Sequence, residues 1–460
     1  MKDRDSRLSR WGAAGLMSVW SGVVPAAPPL PPNATPNITS IANALQQSCG
    51  ALANASAGGL SSDQQDLLRR CTFFLGPPGS GSALAAAYNA VVGQQVNALG
   101  PQAKKFASLQ QDNVTSRLAE LRHGSAGISL SGSNPLTSDV PLLAATDPTA
   151  YVPAGGAAGT PALLDGRLGA FVNGSIKTGS KANSRNSFAF DIDDKSVTVG
   201  ADYRITEWLV AGAAYAGGKT QVKFDNDLGR LDLDAKGVNL YASVYRSSYY
   251  IDVTAGYGWT DLATDRHLSY TEGGGATIDQ HALGKSHIHD LWAGINIGDV
   301  LSYGGVTLGP EASFNFHEIR LDGFAEAMSQ PTLPGAGLAL RYGAAVVPSM
   351  QGRVGLHLGY TISTSWGVFE PRIHGAFIRE FRNHADTFSA QLAAAADVPG
   401  SGTAFIHTDT PEGHYFANGA GFTAQLRHGL SAFFDFEQLK TLKTIKAHEF
   451  SFGVRYQVGS

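Results

Sequence analysis

The sequence predicts an all-β fold: a roughly 12-stranded antiparallel transmembrane β-barrel, preceded by a small α-helical N-terminal region. Three observations predict it. From about Gly166 onward the side chains alternate with period two. Most of the resulting strands reach the roughly 9–11 residues that a tilted strand needs to cross hydrocarbon. Their connections are alternately short and long, as in barrels whose short turns lie on one side of a membrane.

Candidate strands fall near 167–176, 194–204, 206–217, 232–246, 248–263, 286–298, 304–318, 349–362, 365–381, 412–427, 429–440 and 447–458. Short turns such as Arg246-Ser247-Ser248 and Arg427-His428-Gly429 join alternate pairs, and long loops are expected at 177–193, 218–231, 264–285, 319–348 and 382–411. Around the first of these turns, Val238, Leu240, Ala242 and Val244 share one face, and Ile251, Val253, Ala255 and Tyr257 share the matching face of the next strand. A soluble sandwich would alternate in the same way. A single sheet of this many long strands, however, could not cover its apolar face with the few helical residues available, whereas lipid covers it without further protein. The apolar set therefore faces lipid and the opposite set, which includes Asp252, faces a lumen. Tyr249, Tyr250, Trp259 and Trp366 near strand ends suit aromatic girdles at the membrane interfaces.

The composition agrees with this. Glycine is abundant, at 55 of 460 residues, and charged residues make up only 16%, which favours strands with tight turns over long solvated helices. A net charge of −4 without a broad basic field argues against nucleic acid as a partner.

Residues 1–26 read as a signal peptide. Lys2, Arg4, Arg7 and Arg10 precede an uncharged apolar stretch, Trp11 to Val24, and Val24-Pro25-Ala26 fits a small-residue cleavage site. Residues 27–124 form a short helical passenger or leader region. Ile41, Leu45, Cys49 and Leu52 recur at helical spacing, and Ser61 with Gln64 predicts a capping box opening a helix with Leu67, Leu68, Cys71 and Leu75. In an oxidising compartment Cys49 and Cys71 would close a disulfide across this helical hairpin, a loop of about 20 residues whose closure adds about 3 kcal/mol. Another helix begins in LAAAYNAVVGQQVNAL, and a last one spans about 103–122 with Phe106, Leu109, Val114, Leu118 and Leu121. Residues 125–165, rich in Gly, Ser, Pro and Ala, read as a linker, and 166–460 as the barrel.

The segments RLGAFVNGS, SVTVGADYRITEWLVAGAAYA, VTLGPEASFNFHEIRLDGFAE, GVFEPRIHGAFIREF, GAGFTAQLRHGLSAFFDFE and HEFSFGVRYQV resemble, in order, the strand motifs of the β-domain of autotransporters, the type V secretion proteins of Gram-negative bacteria. The resemblance implies an outer-membrane translocator that anchors its N-terminal passenger and passes it to the cell surface. Outer-membrane lipid, the barrel-assembly machinery and periplasmic chaperones are the implied partners of a monomer. With a short passenger, the 103–122 helix either occupies the pore or is an ordinary passenger helix. The alternative is a porin-like or structural barrel whose N-terminal helices stay in the periplasm.

No catalytic motif stands out: G-x-S-x-G, H-E-x-x-H and a Walker loop are all missing, so no enzyme activity, cofactor or metal is expected. Asp252, Glu311, Asn315, His317, Glu370, Arg372, His374 and Arg455 are the candidate lumen-lining residues, either lining and gating the pore or pairing as structural ions. His281, His287 and His289 read as solvated loop histidines, since a metal would need further ligands in fixed geometry.

Overall fold

The computed structural model describes residues 27–76, 81–99, 106, 107, 110, 111, 114, 118, 128–132, 168–382, 384–410, 412–426, 430–440, 445, 446 and 448–456. The segment read as a signal peptide, most of the segment read as a linker and the Arg427-His428-Gly429 turn lie outside them. Among the described residues no helix is long and apolar enough to cross a membrane.

Three helices come first: α1 (Pro36–Ala55), α2 (Ser62–Leu75) and α3 (Gly81–Val91). Thr35 caps α1 by accepting from the Ile38 N–H, and Ser61 with Gln64 forms the capping box of α2. Ile41, Leu45, Cys49 and Leu52 are buried on one face of α1, and the Cys49–Cys71 disulfide ties it to α2 with Cα atoms 5.9 Å apart. The helix predicted to run on through GQQVNAL stops instead at Val91. Gly93 takes φ +67°, which turns the chain into a short 3₁₀ segment, Gln94–Ala98.

The strands are β1 (Ile128–Gly132), β2 (Leu168–Lys181), β3 (Phe190–Thr206), β4 (Leu209–Phe224), β5 (Gly229–Arg246), β6 (Tyr249–Thr271), β7 (Thr277–Asp299), β8 (Leu301–Tyr303) and β9 (Val306–Leu321). Then follow β10 (Phe324–Ala325), β11 (Ala327–Met328), β12 (Leu340–Tyr342), β13 (Ala345–Tyr360), β14 (Ile362–Thr364), β15 (Gly367–Glu380), β16 (Thr387–Leu392), β17 (Ala404–His407), β18 (His414–Leu426), β19 (Leu430–Lys440), β20 (Ile445–Lys446) and β21 (His448–Tyr456). The long strands from β2 to β21 pair antiparallel with their long neighbours in chain order. The sheet meets itself where Ile445 and Lys446 pair with Lys181 and Ser180 of β2. Within the segment read as a linker, β1 is a strand: it runs parallel to β2, with Ile128 opposite Ala170, where the edge of β2 is free to accept it.

Several regions predicted as loops are strand. β6 reaches Thr271 and β7 starts at Thr277, so the expected loop 264–285 is a hairpin with a tip of a few residues. The reason lies in which face is apolar. Near the short turns Val238, Leu240, Ile251, Val253 and Ile295 point outward and are exposed, while Asn239, Ser243 and Asp252 point inward. Further along the same strands the parity continues but the chemistry changes sides. Leu231, Leu233, Leu262, Leu268, Ile278 and Ile288 are buried inside, and Asp261, Asp279, His281 and His287 face out. A strand with this exchange loses its simple alternation at the crossover and reads as a loop.

The inward apolar set meets the helices at the long-loop end. Ile41, Leu45, Leu52, Leu67, Phe74 and Tyr88 share one core with Leu262, Leu268 and Ile278, and with Leu338, Leu340, Phe388 and Ile406 from the two longest connections. Those connections build a small antiparallel sheet in the order β10-β12-β16-β17. The edge of β17 is covered by α1 side chains. Asn37 exchanges both of its amide bonds with the His407 backbone (2.9 and 2.8 Å), Ser40 Oγ accepts from the Phe405 N–H at 2.7 Å, and Ser48 Oγ accepts from the Gly402 N–H. Helices and loops thus form a single cap.

Candidate functional site in the barrel lumen

Phe106, Ala107, Gln110, Gln111, Val114 and Leu118 are helical and buried, at the i, i+4 spacing of one helix stripe. Their partners lie on the inner wall. Phe106 packs with Ala216 and Ala235, and Val114 and Leu118 pack with Phe171, Val210, Ala214 and Tyr241. Thr198 Oγ1 donates to Gln110 Oε1 at 2.8 Å, and Gln111 Nε2 to Asn315 Oδ1 at 3.3 Å. Val210 is close to the short-turn end of β4, and Gly218, against which Phe106 lies, is nearer its other end. The segment therefore descends the lumen from the cap toward the short turns, where β2 begins.

Glycines make room for it. A Cβ on Gly256 would overlap the Trp292 indole, whose Nε1 donates to Asn239 Oδ1 at 2.7 Å, and one on Gly237 would press on both Trp292 and Phe106. The glycines that interrupt the inner face of β6 are thus the seat of a fully buried tryptophan.

The remaining candidates divide by wall. Asp252 on β6 accepts from Ser243 Oγ at 2.6 Å. Glu311 pairs with Arg353 at 3.8 Å, and His374 Nε2 lies 3.6 Å from Glu437. His317, Glu370 and Arg372 are buried on inward positions of β9 and β15. Arg455 lies on β21 opposite Ser431, and its side chain is outside the described residues. Glu311, Arg353, Glu370, Arg372 and Glu437 stand on the β9–β19 side, while the β2–β5 side meets the helix through apolar contacts and the Thr198–Gln110 bond and carries buried Asp194 and Asp202. Arg353, His357 and Glu437 were missed by sequence reasoning, although Arg353 and His357 share the inward parity of β13 and could have been found by counting in twos.

His281, His287 and His289 are not loop residues. They stand on the outer face of β7, bonded to Asp265 (2.6 Å), Asp261 (3.0 Å) and the Tyr257 hydroxyl (2.8 Å). Among the described residues no group of His, Cys, Asp or Glu is arranged to hold a metal ion.

A second anchor joins cap to barrel. Arg266, 1% exposed, donates from Nε to Glu326 Oε1 at 3.0 Å, from Nη2 to Glu326 Oε2 and the Leu338 carbonyl, and from Nη1 to the Ala90 carbonyl. Asp66 accepts from the Gly335 and Gly337 N–H groups, and Arg70 pairs with Glu272 at the tip of the β6–β7 hairpin.

The autotransporter β-domain model matches residues 170–437, more than half of the chain. The chain belongs to the autotransporter β-domain family. It is an outer-membrane β-barrel of type V secretion, a translocator for its own N-terminal segment. Solved structures of similar fold include the translocator domain of the autotransporter NalP from Neisseria meningitidis (16% identity, 63% of this chain and 88% of that one, TM-score 0.46). The β-domain of the Bordetella autotransporter BrkA is similar at 15% identity, with 63% and 99% covered and a TM-score of 0.43. The transport unit of AIDA-I from Escherichia coli is similar at 12%, with 63% and 90% covered and a TM-score of 0.37. No curated protein matches the chain. In this autotransporter barrel the lumen holds helical residues and side-chain pairs.

Proposed function

We propose that the helical region 27–124 is the passenger, displayed at the cell surface and kept there as a fixed cap on its own translocator. The lumenal run from Phe106 to Leu118 carries the reading: it connects helices at the long-loop end to a barrel whose first strand starts at the short-turn end. Short turns of outer-membrane barrels lie in the periplasm, which puts the long-loop end outside. Retention follows from the shared core and from buried Arg266, because leaving would expose apolar side chains of both partners. Residues 1–26 act as the export signal, 125–165 as the return linker and 166–460 as the barrel. The protein works as a monomer in lipid, inserted by the barrel-assembly machinery with periplasmic chaperones, and its action is translocation without bond chemistry.

An epitope inserted after Asn54 tests this on intact cells. Antibody labelling of whole cells is the expected result, and labelling only after the outer membrane is broken would sink the proposal and favour a barrel with periplasmic helices. Cutting an engineered protease site in the 133–165 linker should leave the cap bound to the barrel, whereas its release into the medium would contradict retention.

A further inference from the structure

At the cap end of the lipid-facing band, β15 and β18 carry a cleft of about 340 Å³ whose walls include Phe377, Arg379, Phe381 and His414. Arg379 and His414 are direct cross-strand partners, and both side chains face outward. Two pairs below them, on the same face, are Phe377 and Phe416, with ring centroids 5.3 Å apart. The Arg379 guanidinium is held 5.3 Å over the Phe381 ring, which itself folds back against Gly352. The site is therefore apolar toward the membrane and cationic at its rim.

The charge is uncompensated. Glu380 contributes to the cleft, but its carboxylate is engaged by Ser349 Oγ and by the Met350 and Arg382 N–H groups. Among the described residues neither Arg379 nor the exposed Arg382 has a carboxylate partner, as Arg320 has in Glu318. A guanidinium fork without an acid, fixed over an aromatic ring where hydrocarbon gives way to headgroups, matches a phosphate oxygen in geometry and charge.

We propose that this cleft binds the phosphorylated headgroup of a glycolipid in the surrounding outer leaflet, with Arg379 and Arg382 on the phosphate and Phe377 and Phe416 along an acyl chain. The full chain, in phosphatidylcholine nanodiscs, is titrated with a bisphosphorylated disaccharide glycolipid and binding is read by native mass spectrometry. Arg379→Gln with Arg382→Gln, both at exposed positions, should weaken binding on the order of tenfold or more, since each charge-assisted bond is worth roughly a factor of ten. The dephosphorylated glycolipid on the wild-type protein should lose affinity to a similar extent, a comparison independent of any variant. Inorganic phosphate in excess should leave the glycolipid in place. Equal binding by the double variant, equal binding of the dephosphorylated lipid, or displacement by inorganic phosphate would each overturn the assignment.

Discussion

Arg266 on β6 donates from Nη1 to the carbonyl oxygen of Ala90 on α3 at 2.9 Å, across 176 residues of sequence. The bond joins the barrel wall to the N-terminal helices at a buried point. Truncating Arg266 to Ala leaves the Glu326 carboxylate buried and uncompensated, which costs about 3–5 kcal/mol. Trypsin digestion of the folded protein in detergent should show the cap clipped first in Arg266→Ala. Arg266→Met with Glu326→Met should be closer to wild type than either single change, because no lone charge remains.

The exchange of faces along β5 predicts opposite responses at neighbouring positions. Leu240→Arg places a cation in the lipid band and should destabilise the barrel by roughly 2–4 kcal/mol. Asp234→Arg, outward but beyond the band, loses only the exposed pair with Lys219 and should cost no more than about 1 kcal/mol. Urea unfolding in detergent micelles, followed by tryptophan emission, separates the two. Equal effects would refute the placement of the band.

Phe106 is wedged against the inner wall between Ala216 and Ala235. Phe106→Ala removes about 3–5 kcal/mol of packing from the lumenal helix. In planar bilayers the variant should conduct several-fold more often than wild type, at unchanged heat-modifiable migration. Unaltered conductance would mean that the seal lies elsewhere.

His267 bonds Asp279 through Nε2 at 2.7 Å and lies near Asp227 through Nδ1, and its ring stacks on His281 at 4.5 Å. Burial acts to lower its pKa, but the bonds to Asp279 and Asp227 prevail and hold it above the ordinary histidine value. The folded state therefore favours the protonated ring. Its contribution is complete below a pH of about 6.5 and is lost as pH rises through the folded-state value. Hydrogen exchange at the β6–β7 tip should speed up from pH 6 toward pH 8, after correction for intrinsic rates, and His267→Gln should flatten the change.

The Cys49–Cys71 bond clamps α1 to α2. Replacing both cysteines with serine should lower cap stability by about 2–4 kcal/mol. Protease should then reach the helices while the barrel keeps its heat-modifiable form.

The amino-acid sequence determined by itself whatever depends on local periodicity. Alternation in twos near the short turns defined the lipid-facing set around Leu240 and Ile251, and spacing of three and four defined the buried stripe of α1 and the capping box at Ser61. The order of strand motifs was enough to indicate the family. Tertiary structure alone decided which surface each stripe meets. A stripe carries a direction but no address, so Phe106 and Leu118 read equally well as pore or passenger. The hairpin beyond Thr264 read as a loop because its apolar side had moved from lipid to cap, and that cap comes from segments far apart in the chain. Arg266 finds Ala90, Glu326 and Leu338 only once those segments have met, since hydrogen bonds across such separations leave no periodic trace along the chain.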